Sequence, residues 1–99
     1  MATRDPDARL RALRREIREL DARTLRLVRA RLDRARRVGQ EKRRRGLPLR
    51  NYQVEAEVIR DARRECRRLG LPDELGDELM RLLIRASVKE QEPILEGSR

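Results

Sequence analysis

Seven polar side chains of this 99-residue sequence fall on or beside helix faces that otherwise read as apolar: Arg31, Arg34, Lys42, Asn51, Glu55, Ser87 and Gln91. Arg31 and Arg34 interrupt a seam of aliphatic residues. A seam guanidinium without an anion is costly to bury, so such an arginine calls for an anionic partner; alternatively the seam has simply ended and both are solvated. Lys42 follows Arg31 by eleven residues, which returns it to within about 20° of the same helix face, roughly 16 Å away. Two long side chains leaning together from those positions could grip a small anion, with Ala35 and Val38 as an apolar floor. Ser87 and Gln91 continue the Leu79 and Leu83 stripe in steps of four. A buried Gln must find hydrogen-bond partners; otherwise the helix end is leaving the core. Asn51 and Glu55, again four apart, suit either a site or an ordinary helix start, where Asn caps and Glu complements the helix dipole. Together these groups are cationic, with amides, a hydroxyl and one carboxylate, which describes a pocket for a small polar dianion.

Other chemistries are closed off by composition. The chain has no His and a single cysteine, Cys66. Zinc sites, a His-based triad and an intrachain disulfide therefore drop out, and no cofactor or metal is expected. No signal peptide or transmembrane run is seen, so the expectation is a soluble cytoplasmic protein without a membrane partner. The formal net charge of +9, from 27 basic and 18 acidic residues, attracts anions of any kind and does not choose among them.

The elements that must position these residues are helices. Aromatic content is 1 %, and Leu, Ala, Arg and Glu dominate, a composition that favours helices over sheets. A first helix is expected over about 7–44, capped by Asp5 or Asp7 with Pro6 in its first turn. Leu10, Leu13, Ile17, Leu20, Thr24, Leu27, Arg31, Arg34 and Val38 recur at alternating steps of three and four, the pattern of a helix lying along another helix. Such a helix spans roughly 57 Å, more than a small globule is wide, so it must bend, break or lie against a second chain. Gly46 and Pro48 end it. A second helix is expected over about 51–69, with Val54, Val58, Ala62, Cys66 and Leu69 as its apolar stripe. A third is expected over about 72–92, with Leu75, Leu79, Leu82, Leu83 and Ala86 inward and Pro93 at its end or in a frayed last turn. The tail, 96–99, is expected to be disordered, and the whole, 1–99, to be one domain.

These residues resemble a known family. The stretch LRALRREIRELDARTLRLVRARLDRARRVGQEKRRRGLPLRNYQVE, residues 10–55, is similar to the first half of the AroQ class of chorismate mutases, carrying Arg14, Ile17, Leu20, Asp21, Arg31, Lys42, Pro48 and Glu55 at matching spacing. Ser87 and Gln91 match the family's pair on the third helix, and the likeness extends over about 8–95. The resemblance implies an all-α fold, three helices per protomer with a long first helix, intertwined as a homodimer with two shared active sites. It implies that Arg14 of one chain and Arg31 of the other hold the substrate's two carboxylates, a task that suits the guanidinium fork. Lys42 and Gln91 would donate to the ether oxygen, Glu55 would contact the ring hydroxyl, and Ser87 and the backbone near Asn51 would assist. The implied reaction is the pericyclic conversion of chorismate to prephenate, driven by preorganisation and charge stabilisation. Relatives serve aromatic amino acid biosynthesis through the shikimate pathway, or specialised metabolism.

The match departs from the family pattern at two positions. Asn51 stands where Asp is frequent, and Val54 where an Arg that assists a carboxylate is frequent; Arg34 and Arg50 are the nearby cations. These changes keep two related activities open, rearrangement of 4-amino-4-deoxychorismate and pyruvate elimination from isochorismate. Two rivals are of other kinds. One is a basic helical nucleic-acid binder, supported by the arginines around 34–37 and 43–45 but lacking an aromatic platform or helix-turn-helix; the expectation is no nucleic-acid partner. The other is a weakly active subunit that needs a partner enzyme.

Overall fold

A computed structural model describes residues 5–97. They form three helices, α1 (Ala8–Arg45), α2 (Tyr52–Arg68) and α3 (Asp73–Glu96), with no strand among the described residues, so the all-α expectation holds. The Asp5 carboxylate accepts the Asp7 N–H at 2.9 Å just ahead of α1. The two interhelical turns use one device. Gly46 and Gly70 take positive φ, 67° and 71°, where a side chain would be strained. Each following amide then reaches back into the helix: Leu47 N–H donates to the Lys42 carbonyl at 2.8 Å, and Leu71 N–H to the Cys66 carbonyl at 2.7 Å. These are Schellman closures, which satisfy carbonyls that the helix ends would leave open.

The third helix corrects one expectation. It does not stop near 92; α3 runs on to Glu96, with Pro93 in its last turn and the Gly97 N–H on the Pro93 carbonyl at 2.9 Å. Pro93 cannot donate to the Lys89 carbonyl and its ring crowds that carbonyl, but a single turn of α3 lies beyond it. Of the tail expected to be disordered, Glu96 is helical and Gly97 follows it as the cap, while 98–99 lie outside the described residues.

The chain divides into an N-terminal unit that ends at Ala30 and a second that begins at Arg31. In the first, the seam side chains are open, from 45 % exposed at Leu10 and Leu13 to 71 % at Leu27. In the second, α2 packs on α3 at very close range. A Cβ added at Gly76 would lie 2.7 Å from Cys66 Sγ and 2.8 Å from the Ala62 carbonyl oxygen. Ala35, Cys66, Leu83 and Ile84 are the buried apolar residues, and Gln91 is buried with them. Leu75, Leu79 and Leu82, read from periodicity as inward, are exposed. Gly76, Leu83, Ile84 and Gln91 take the buried positions on α3 instead. The helix carries apolar residues on two sides, and periodicity cannot say which side this chain covers.

Candidate active site

The site is assembled within the second unit by the C-terminal half of α1, the turn 46–51, the start of α2 and the end of α3. Arg31 is half-buried. One of its terminal nitrogens donates to Ser87 Oγ at 2.7 Å and to the Leu83 carbonyl at 3.3 Å. Three turns further along α1, Lys42 Nζ donates to the Leu49 carbonyl at 2.6 Å and to Gln91 Oε1 at 2.8 Å. The first of these bonds ties the turn back to the helix it leaves. The second fixes the Gln91 amide, because a lysine offers only donors and so must meet the carbonyl oxygen. The Gln91 NH2 is thereby directed away from the ammonium. Lys42 has three N–H groups, two of them engaged, which leaves one for a ligand.

Between these groups lies a cavity of about 380 Å³, within the usual range for small-molecule sites. Ala35, Val38, Val58, Ile84 and Val88 give it apolar walls, and Arg31, Arg34, Lys42, Asn51, Val54, Glu55, Ser87 and Gln91 also line it. Seven of the eight residues singled out for roles in the sequence therefore come together here. The eighth, Arg14, belongs to the N-terminal unit and is not among the lining residues. Ser87 and Gln91 do not leave the core: α3 continues past both, and Gln91 is only 5 % exposed. Asn51 caps α2, its side-chain oxygen accepting the Val54 N–H at 3.1 Å, while also lining the cavity.

The electrostatics follow from these contacts. Arg50 grips Glu55 with both prongs of its fork, at 2.6 Å and 3.1 Å, and stacks over the Tyr52 ring at 4.7 Å. The Arg50 hydrogen bonds hold the Glu55 carboxyl below its ordinary range against opposing desolvation, and Lys42 adds to the effect. Glu55 is therefore an anion and an acceptor. Lys42 is shifted below the usual lysine range by burial, partly offset by Glu55. Arg31 and Lys42 make their hydrogen bonds to neutral partners, a hydroxyl, an amide oxygen and two backbone carbonyls.

Three contributors were not identified from sequence. Gly39 is buried in α1, and a Cβ there would stand 3.0 Å from Gln91 Cγ; its smallness lets Gln91 lie against the helix. A lone glycine inside a helical pattern is the available signal for such an approach. The Leu49 and Leu83 carbonyls carry no sequence signal, since every residue has one.

Three helices around an apolar cavity with cations and amides at its rim define a helical protein with a built polar-ligand site. The profile of the family described as chorismate mutase type II matches residues 13–92, and the chain belongs to that family. It is also similar to the T-protein of Enterobacter agglomerans, 36 % identical over 80 residues. That match takes in 81 % of this chain and 21 % of the T-protein, so the chain spans about a fifth of the length of this curated relative. No solved structure matches the chain significantly. A chorismate mutase-like function follows from the family. Among the described residues, no cluster of His, Cys, Asp or Glu could hold a metal ion, and no helix is long and apolar enough to cross a membrane.

Proposed function

We propose that this chain is a single chorismate mutase domain that converts chorismate to prephenate as a homodimer. The observation that carries the reading is the cavity's unspent positive charge: Arg31 and Lys42 hydrogen-bond neutral groups only, on an apolar floor sized for a small molecule. A bound dianion supplies the missing counter-charge. One substrate carboxylate takes the remaining edge of the Arg31 fork. The third Lys42 N–H and the Gln91 NH2 converge on the ether oxygen. In the reaction the C–O bond breaks while a C–C bond forms within the same molecule, with no net oxidation and no leaving group. Negative charge grows on the ether oxygen, and preorganised donors lower that barrier. Glu55 accepts from the ring hydroxyl, with Ser87 and Asn51 beside it, and Val54 contributes apolar wall. Holding the enolpyruvyl arm over the ring supplies the entropic share of the rate.

The second carboxylate is assigned to Arg14 of a second copy. Support comes from the open seam of the N-terminal unit, where Leu10, Leu13, Ile17 and Leu20 are about half-exposed. An apolar row of that length on a small protein is the signature of an interface. Purified protein tests the reading directly. Chorismate consumption is followed by ultraviolet absorbance, with products separated by chromatography, and the protein sized by light scattering. Conversion to prephenate by a dimer is the expected result. Activity only on 4-amino-4-deoxychorismate or isochorismate would move the substrate to that relative, and a monomer with full activity would remove Arg14 from the site.

A further inference from the structure

Three cations line the cavity, and the third, Arg34, has no role in the scheme above. It lies one turn beyond Arg31 on α1, and side chains so spaced stand about 5–6 Å apart at Cβ. Among the described residues it makes no ion pair or hydrogen bond. Two like charges one turn apart repel each other, and the side-chain hydrogen bonds of Arg31 go to a hydroxyl and a carbonyl and not to a carboxylate. The cavity's one carboxylate, Glu55, is held in both prongs of Arg50. Arg50 is thus committed and is not itself a lining residue. Val54, from α2, adds only an apolar wall, so among the described residues that line the cavity Arg34 is the cation left beside Arg31 and Lys42. Arg31 has one nitrogen engaged with Ser87 and Leu83, which leaves its remaining edge for one oxygen pair. A carboxylate has about four acceptor positions and can take donors from two guanidinium groups at once.

We propose that Arg34 is a substrate-binding residue that grips the same carboxylate as Arg31, making a paired arginine clamp from one turn of α1. The proposal rests on the reading of the cavity as a chorismate-type dianion site. Arg34 is exposed where Arg31 is half-buried, and it meets a carboxylate whose charge does not change in the reaction, so its contribution is to binding, equal in ground and transition states. Such an interaction sets KM and leaves kcat nearly unchanged.

The test uses the full chain and chorismate, read both by turnover and by calorimetric binding. Arg34→Gln is expected to raise KM and Kd by about tenfold or more with kcat within about threefold. Arg36→Gln removes the same charge from a residue that pairs with Glu90 and lies outside the cavity, and is expected to change neither. Adding Val54→Arg to Arg34→Gln is expected to recover most of the lost affinity by supplying a cation to the same cavity from α2. Unchanged affinity in Arg34→Gln, or an equal loss in Arg36→Gln, overturns the proposal. If the native chain binds chorismate but does not consume it, the mutase reading fails, while a tenfold weaker Kd in Arg34→Gln still supports the clamp. If it does not bind chorismate at all, both fall.

Discussion

Two arginine-rich hollows in the second unit differ in what their arginines touch. The groove along α2 is lined by Arg50, Arg60, Arg63, Arg64, Arg67 and Arg81. Nearly all of these meet carboxylates of the chain itself: Arg63 pairs with Asp73 and Asp77, Arg67 with Asp73, Arg64 with Asp61, Arg81 with Asp77 and Arg50 with Glu55. In the cavity at the end of α1, among the described residues, the side chains of Arg31 and Lys42 meet only hydroxyl, amide and carbonyl oxygens, and that of Arg34 meets none. The groove has more positive charge by count, yet the cavity has more left for a ligand. Counting arginines does not locate a binding site; counting those without an internal anion does.

The sharpest way to break this comparison is Lys42→Ala. Removing the ammonium also frees Gln91 and the turn, and turnover of chorismate is expected to fall by at least about a hundredfold, with helix content by circular dichroism retained. Near-normal turnover would show that the cavity's charge is not used. Gly39→Ala is gentler. The new methyl presses on Gln91, whose amide Lys42 holds, so turnover is expected to drop about tenfold, since small displacements of positioned groups are costly. The helix itself gains up to about 1 kcal/mol from the replacement, so the melting temperature should not fall in step with activity. A parallel loss of both would assign Gly39 to packing alone.

The pH profile sharpens the contrast further. Lys42 must hold its proton to donate, and burial places its folded value below the usual lysine range. The alkaline limb of kcat/KM is therefore expected below that range, and Lys42→Arg should move it to higher pH; a limb that stays put belongs to another group. For stability the sign is the same as for any depressed value. The unfolded chain binds the Lys42 proton in the interval between the folded and ordinary values, so this lysine's cost to folding is relieved as pH rises through it. Glu55 is also depressed, by Arg50. Its contribution is present above the ordinary carboxylate value and is lost only as pH falls through the lower folded one. The smallest effect is expected in the groove. Arg81→Ala breaks an exposed pair with Asp77, and exposed pairs contribute little, so turnover should stay within about twofold. A larger loss would mean that the paired groove takes part in function.

Much of this organisation was legible in the sequence because helices are read from local rules. Spacing of Leu and Val gave three helices, Gly46 and Gly70 their closures, and the polar steps at Arg31, Lys42, Ser87 and Gln91 marked where apolar packing gives way. Those residues line one cavity because each lies on a face that its own helix period fixes. The end of α3 was read near 92 and falls at Glu96, because a proline marks where a helix is weakened and not whether one more turn follows it. Leu75, Leu79 and Leu82 misled for a different reason: which apolar side of α3 is covered depends on the neighbouring helices.

Side-chain periodicity and charge are local properties, so the helical architecture and the polar residues that line the cavity could be read along the chain. Which cations keep charge to spare was settled by the packing of the helices on one another. The Arg50 and Glu55 clasp, the Lys42 bonds to Leu49 and Gln91, and the close approach at Gly39 bring together groups from separate helices or from a turn. Whether a charge is neutralised depends on distances of a few ångströms across that packing, which no spacing along the chain encodes.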